Sequence, residues 1–362
     1  MPDSILVARG GKLSPYSGLG STHKALVDRL ETGDVEGYIL GEVHEDPSGN
    51  GPIKRLWRRW FSSPKTVSKL SEKHSLVHIT DQEQAGLVPQ KGKTPCAVTV
   101  HDLFHLFPSV KKGVEIGEQK PSLIRRRDLK KMENGLKRAD LLICISKHTQ
   151  QECEMRFPGV ATAWVPHAIN LKNYQKETTR PSWFKDGKNL LIIGSEEARK
   201  RVDFAIEVCS EMDLTLHKIG AESSIQAKNK LLRLAKERKC NLNWVGTLEQ
   251  NEMIAALQHA DALLFPSIAE GFGLPPLEAM AAGTIALVAD APAANEIPLS
   301  EHILPIEDIS AWRNAIDNLS TDKSALQKRA EKFGIKAWAE RLSKAYDSVS
   351  YTHLTLPTKR IV

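Results

Sequence analysis

The sequence predicts an α/β protein built as two doubly wound, parallel-sheet domains that face each other across a cleft. Three observations lead there. At 362 residues the chain exceeds one ordinary core and suits two domains of about 150–200 residues each. Short apolar runs alternate with helix-period segments along nearly all of it, as strand–helix–strand units require. A polar, charged stretch at 171–188 breaks the series, and a second series starts beyond it. The expected division is one domain over 1–168, a second over 169–330, and a C-terminal helix over 331–347 that crosses back to the first.

In the first half, Ile5-Leu6-Val7-Ala8 reads as a buried strand, followed by a glycine-containing turn and a helix carrying Ala25, Leu26 and Leu30. Leu76-Val77-His78-Ile79, Ala97-Val98-Thr99-Val100 and Leu141-Leu142-Ile143-Cys144-Ile145 read as further parallel strands. Before the last of these, 124–139 places Leu129, Met132, Leu136 and Ala139 at spacings of 3, 4 and 3, an amphipathic helix with a strongly basic opposite face. The second half repeats the alternation. Its strands are Leu190-Leu191-Ile192-Ile193, Leu214-Thr215-Leu216-His217-Lys218-Ile219, Leu242-Asn243-Trp244-Val245, Ala262-Leu263-Leu264-Phe265 and Thr284-Ile285-Ala286-Leu287-Val288-Ala289.

Composition narrows the function classes. With 41% hydrophobic and 26% charged residues the chain reads as a soluble globular protein, and no apolar run approaches the ~20 residues that span a bilayer. Met1-Pro2-Asp3-Ser4 lacks the pattern of a signal peptide, so a cytoplasmic location is expected. The five cysteines are widely spaced and form no Cys-x-x-Cys pair, which points away from a zinc site and a disulfide framework. The net charge of +6 is uneven: residues 51–150 hold 20 Lys/Arg against 9 Asp/Glu. A local excess of that size implies an anionic partner. The stretch 349–358 back-translates to a string resembling a transposase-type sequencing adapter, so 348–362 is expected to be a non-native tail and the natural chain to stop near Asp347.

The densest signal lies between two of the strands. After Phe265 and Pro266 comes Ser267-Ile268-Ala269-Glu270-Gly271-Phe272-Gly273, then a helix opened by Pro275 and Pro276, carrying Glu278 and stopped by Gly283. Two carboxylates eight positions apart therefore sit where a strand's C-terminal end meets a helix, the edge at which open α/β sheets bind ligands. Placed in the first helical turn, Glu278 would be favoured by the helix dipole. On the residues alone, Glu278 as a plain helix cap and Glu270 as a solvated turn residue remain open.

This pattern resembles the Glu-x7-Glu signature of glycosyltransferase family 4, retaining enzymes of the GT-B fold with two Rossmann-like domains; the likeness spans about residues 5–346. Glu270 and Glu278 match both acids, and Gly271-Phe272-Gly273-Leu274-Pro275 and Leu277-Glu278-Ala279-Met280-Ala281 match their surroundings. The resemblance implies that Glu278 binds the nucleotide ribose, with charge-assisted bonds contributing roughly 1.5–3 kcal/mol each. It implies that Glu270 holds the donor sugar and stabilises positive charge at its anomeric carbon, with backbone N–H groups of Gly271, Phe272 and Gly273 binding sugar hydroxyls. No resident cofactor is implied; a nucleotide-diphosphate sugar is the co-substrate.

A departing diphosphate needs positive charge. The chain has no Asp-x-Asp motif, so fixed cations are expected in place of a metal. Gly194-Ser195-Glu196-Glu197-Ala198-Arg199-Lys200-Arg201 resembles the family's phosphate-binding segment, with Arg199 and Lys200 as the matching cations and Ser195 as a departure from the usual Arg after the glycine. A solvated helix start is the alternative. His101, in Thr99-Val100-His101-Asp102-Leu103-Phe104, matches the family's His-Asp loop and would face the cleft and touch the donor sugar. Gly18 and Gly20 would let backbone approach the diphosphate or acceptor. Val245, Gly246 and Leu248 would line the base pocket, and Ser146 matches a family serine without a derivable role.

Lys54-Arg55-Leu56-Trp57-Arg58-Arg59-Trp60-Phe61 interleaves cations with aromatic residues. It suits an anchor on an anionic membrane surface, and equally a half-buried helix whose cations shield its tryptophans. The expected function is a metal-independent retaining glycosyltransferase. It would move a hexose, with mannose slightly favoured, to a glycan or lipid-linked acceptor held by the N-terminal domain, with domain closure excluding water. A basic nucleic-acid-binding protein would explain the charge but shows no recognition module, so no nucleic-acid partner is expected. A catalytically silent protein of this fold is the other rival.

Overall fold

Apolar runs of four to six residues become the central strands of two parallel sheets. The computed structural model describes residues 2–12, 18–47, 51–90, 94–320 and 322–355. The chain divides into two units, one of Met1–Pro108, Gly117–His167 and Lys336–Val362, the other of Ser109–Ile116 and Ala168–Ile335.

The first unit runs β1 (Asp3–Gly11), α1 (Gly18–Glu31), β2 (Tyr38–Asp46) and α2 (Pro52–Trp57), which continues through one π-helical turn, Arg58–Ser62, into α3 (Ser63–Ser71). Strands β3 (Leu76–Ile79) and β4 (Cys96–Val100) follow. A short hairpin, β5 (Ser109–Lys111) and β6 (Val114–Ile116), then enters the second unit. The first unit resumes with α4 (Leu123–Leu136), β7 (Leu141–Cys144), α5 (Lys147–Arg156) and β8 (Ala161–Trp164). Its sheet has the order β2-β1-β3-β4-β7-β8, every pair parallel. Alternate residues face opposite sides. Leu6, Ala8, Val77, Ile79, Val98, Val100, Leu142 and Cys144 share one core with Met132 and Leu136 of α4.

The second unit runs α6 (Leu171–Tyr174), β9 (Lys188–Ile193), a 3-10 turn (Ala198–Lys200), α7 (Val202–Val208), β10 (Leu214–Ile219), α8 (Ile225–Glu237) and β11 (Leu242–Gly246). It continues with α9 (Gln250–His259), β12 (Ala262–Phe265), α10 (Leu274–Ala281), β13 (Ile285–Ala289), β14 (Ile303–Leu304), α11 (Ile309–Asp317) and α12 (Lys323–Glu331). The order β11-β10-β9-β12-β13-β14 is again wholly parallel, with β9, β10 and β12 buried through most of their length. Strand order reverses between β1 and β3 in the first unit and between β9 and β12 in the second. Each reversal opens a crevice at the strands' C-terminal ends.

The last helix, α13 (Ile335–Thr355), lies from Lys336 onward in the first unit. There Tyr346 bonds His78 on the sheet (Oη···Nδ1 2.6 Å) and Tyr38 donates to Asp347 (2.9 Å). The helix continues past Asp347, with Val349 buried; residues 356–362 lie outside the described residues. Among the described residues no helix is long and apolar enough to cross a membrane.

Candidate functional site

The strand-order reversal of the second unit builds the site. From the end of β9 the chain passes through Gly194, Ser195, Glu196 and Glu197 into the 3-10 turn holding Arg199 and Lys200. From the end of β12 it passes through Ser267 to Glu270. The two exits meet. The Glu270 carboxylate accepts from Lys200 Nζ (2.5 Å) and Ser267 Oγ (2.6 Å) and pairs with Arg199 Nη1 (3.1 Å). Arg199 also donates to Glu197 (2.8 Å) and to the Ala269 carbonyl (2.9 Å), while the Ile268 N–H donates to the Arg199 carbonyl (2.9 Å). Burial works against the Arg199 charge, but Glu270 and Glu197 outweigh it and raise its pKa. Two cations and two carboxylates thus interlock where the exits of β9 and β12 meet.

The neighbouring helix α10 begins after Gly273, whose φ of +128° is a backbone state that side chains disfavour. Glu278 is the fifth residue of α10, so it sits in the second turn rather than the first. Its environment is set by packing instead of by the dipole. Tyr174, the last residue of α6, donates its hydroxyl to Glu278 Oε1 (2.9 Å). The dense protein around the carboxyl disfavours its charge and raises its pKa to about 7, a rise the Tyr174 bond partly offsets. Burial and the adjacent acid push the Tyr174 phenol well up in turn.

Around this pair, Gly271 is partly exposed, Gly273 is buried, and Phe272 is buried with its ring edge-on to Phe333 (centroids 5.9 Å apart). Val245 and Leu248 lie half-buried at and just past the end of edge strand β11. Behind the turn, Lys218 donates to Glu196 (2.5 Å) and stands over the Trp244 ring (4.6 Å). Both of the paired side chains are almost fully buried, at 0% and 1% exposure.

The remaining expected residues belong to the first unit. Gly18 and Gly20 are in the first turn of α1, not in a turn before it. His101 follows β4, is buried, donates Nε2–H to the Thr80 carbonyl (3.0 Å) and stacks on His167 (5.2 Å). A cavity of about 40 Å³ lies beside it, lined by His23, His78, Thr80, Thr99, His101 and His167 among others. His78 bonds Tyr346 and Thr99 through its two ring nitrogens, and burial holds its pKa down to about 3. Ser146 is the N-cap of α5, accepting from the Thr149 N–H (3.0 Å), which is a structural task. In the 54–61 segment Arg59 and Trp60 are tied to Asp128, whereas Trp57 and Phe61 are 59% and 49% exposed.

The structure therefore brings Glu270, Arg199 and Lys200 together and sets Glu278 in the adjoining helix. It also supplies partners the sequence reading omitted: Ser267 and Glu197 for the cluster, Tyr174 for Glu278, and Lys218 for Glu196. Ser267 was legible as part of the motif. Tyr174 was not, because 104 positions separate it from its acid.

The fold and the site define a doubly wound α/β protein with fixed cations and an acid at its strand-order reversal. Residues 175–337 match the family model for group 1 glycosyl transferases, and residues 23–173 match that for glycosyltransferase family 4. The chain belongs to this glycosyltransferase family. It is 28% identical over 181 residues to the O-antigen chain mannosyltransferase RfbU of Salmonella typhimurium, covering 49% of this chain and 42% of that protein. It is 27% identical over 222 residues to a glycogen synthase of Mycobacterium tuberculosis, covering 57% of this chain and 50% of that protein. The chain thus spans about half the length of the curated relatives it matches.

Among solved structures, Anabaena HepE in complex with UDP and glucose matches with a TM-score of 0.72 at 15% identity, over 96% of this chain and 100% of that one. The apo lipopolysaccharide outer core galactosyltransferase WaaB matches at 0.68 and 15%, over 95% and 99%. These likenesses show the fold, which is GT-B.

Proposed function

We propose that the protein is a retaining, metal-independent hexosyltransferase that uses a nucleotide-diphosphate sugar. The observation that carries this reading is the meeting of Arg199, Lys200 and Glu270 at the strand-order reversal of the second unit. Arg199 and Lys200 would hold the donor diphosphate and stabilise it as a leaving group, fixed cations in the role a metal fills elsewhere. Glu278 would bind the ribose hydroxyls, with Val245 and Leu248 beside the base. Glu270, with backbone N–H groups of Gly271, Phe272 and Gly273, would hold the sugar. The bond from the anomeric carbon to the phosphate oxygen breaks with its electron pair passing to the phosphate. The acceptor oxygen bonds to the same face of that carbon, and its proton goes to the departing phosphate.

The acceptor, a glycan or lipid-linked sugar, is assigned to the first unit, where His101, Gly18 and Gly20 lie at the C-terminal end of the sheet. Mannose is the first sugar to test, on the strength of the mannosyltransferase relative. A peripheral place on the cytoplasmic face of an anionic membrane fits Ile53, Trp57 and Phe61, exposed at spacings of four along one helical segment with Lys54 and Arg55 beside them. The deciding experiment is a nucleotide-sugar panel by thermal shift, in which a bound donor raises the melting temperature. Transfer with the best donor in excess EDTA follows it. Loss of transfer in EDTA contradicts metal independence, and no shift with any nucleotide sugar contradicts the reading as a whole.

A further inference from the structure

The turn that carries Arg199 and Lys200 is held from two sides, and one side comes from the N-terminal half of the sequence. Three residues of 3-10 helix are too few to fix themselves. The turn closes on two backbone bonds, Lys200 N–H to Glu197 (2.8 Å) and Arg201 N–H to Ala198 (3.2 Å). It ends at Arg201 in the left-handed region, φ 54°, a conformation that costs a non-glycine residue roughly 1 kcal/mol. The β12 exit grips one side through Ile268 and Ser267. Against the turn also packs β6 of the hairpin Ser109–Ile116.

That hairpin is built to hold its shape and to dock. Register Lys111↔Val114 leaves a two-residue loop, and its residues Lys112 and Gly113 both have positive φ (50° and 74°), the turn type that matches strand twist. A two-stranded hairpin is marginal alone, so its anchorage decides its position. Ile116 is 1% exposed, whereas Val110 on the partner strand is 62% exposed. At the tip, Lys112 Nζ pairs with Glu307 (2.9 Å), and that carboxyl also feels the Arg201 charge. Gly117, φ 79°, follows directly. A side chain there would strike the Phe104 carbonyl, an ideal Cβ lying 1.9 Å from its oxygen, so the chain leaves the hairpin along a fixed path.

We infer that the hairpin Ser109–Ile116 is a positioning element for Arg199 and Lys200, with Ile116 its anchor and the Lys112–Glu307 pair its latch. The inference rests on the reading of those two cations as diphosphate ligands. It assigns Ile116 a role in donor affinity although nothing requires it to touch the donor. Because β6 packs on the turn that carries the two cations, its loss should be felt more by phosphates than by the nucleoside.

The test compares UDP and GDP with uridine and guanosine by calorimetry in the full-length chain. Ile116→Ala is expected to weaken diphosphate binding about five- to tenfold, within the range that small misplacements of a binding group produce. Nucleoside binding should stay within about twofold, and Ile116→Val should restore the diphosphate. Equal weakening of nucleoside and diphosphate, or no weakening of either, overturns the inference. Should Ile116→Ala not fold, the exposed change Lys112→Glu carries the test, with an expected two- to threefold loss, on the order of one surface ion pair. Adding Glu307→Lys should reverse that loss; an unchanged affinity in both variants overturns the inference. Arg199→Ala and Lys200→Ala separate the two levels. If they leave diphosphate affinity unchanged, the reading of the cations fails; if they weaken it while the hairpin variants do not, the hairpin's role alone fails.

Discussion

Glu278 turns the proposed nucleotide site into a pH-dependent one. Its carboxyl pKa is raised from 4.5 to about 7 by burial. A shift of that size corresponds to about 3 kcal/mol between the two protonation states. The folded chain therefore holds this proton more tightly than the unfolded chain between pH 4.5 and 7. Stability falls as pH rises through that window, and the full cost of the buried charge is present above it. Binding runs the other way. A carboxylate can accept from both hydroxyls of a ribose diol, whereas the neutral acid must use one oxygen as a donor. At a pKa of 7 the ionised fraction is about 9% at pH 6 and about 91% at pH 8. Affinity for a nucleotide sugar should thus rise up to about tenfold over that range, roughly 1.4 kcal/mol. A nucleotide sugar is the right probe, because its diphosphate is esterified at both ends and does not itself titrate there. Glu278→Gln should flatten the profile. Tyr174→Phe removes a hydrogen bond that favours the charged form, and should move the midpoint above 7. A flat wild-type profile between pH 6 and 8, matching that of Glu278→Gln, would refute the argument.

Two further outcomes concern stability. His78 is buried with its pKa held down to about 3, so the unfolded chain takes up its proton first as pH falls below 6.5; stability should drop by on the order of 1.4 kcal/mol per pH unit from there towards 3, read as a melting temperature that declines steeply between pH 6.5 and 5. Lys218→Met takes the cation from Glu196 and leaves that carboxylate the Ser223 N–H in a site where both side chains are buried; a loss of about 3 kcal/mol in denaturant unfolding is expected, with Lys218→Met/Glu196→Gln less damaged than the single variant.

The central strands were legible because a parallel strand covered on both faces must be apolar throughout, as Leu76-Val77-His78-Ile79 and Ala262-Leu263-Leu264-Phe265 nearly are. Edge strands carry no such demand. β2 contains Glu42, His44, Glu45 and Asp46, and β8 is only half-buried, so neither stood out from loop. The order of the strands was not readable from their patterns, and it is that order which brings the exits of β9 and β12 together. Glu270 was nonetheless legible as a candidate because it follows an apolar run at a strand's C-terminal end, and Arg199 and Lys200 because the segment after β9 resembles the family's phosphate-binding segment. The hairpin that packs on the cation turn left little trace: three-residue strands around Lys112-Gly113 are too short for an alternating signal. Nor was the partner of His78 readable from the sequence, since Tyr346 on α13 lies 268 positions away.

The cluster around Glu270 also predicts an order of events. Arg199 and Lys200 are occupied, by Glu270 and Glu197, so an arriving diphosphate must compete with those carboxylates for the same donors. In the proposed reading, each cation that turns to phosphate releases part of Glu270, and the acid becomes available to the sugar only once the diphosphate is seated. Removing the Glu270 charge should then separate binding from chemistry. Glu270→Gln keeps the side chain's shape and an acceptor for Lys200 and Ser267 but weakens the competition. A charge-assisted hydrogen bond is about twice as strong as a neutral one, so a gain of about 1 kcal/mol, roughly fivefold in UDP or GDP affinity, is expected. Transfer should fall by about a hundredfold or more, as when a charge-stabilising group is removed from a reacting centre. Calorimetry with UDP and GDP and a transfer assay on one preparation decide it. Tighter binding with lost transfer fits a carboxylate that competes with the donor and then serves it. Weaker binding would mean that Glu270 holds the two cations in place for the phosphate rather than competing with it.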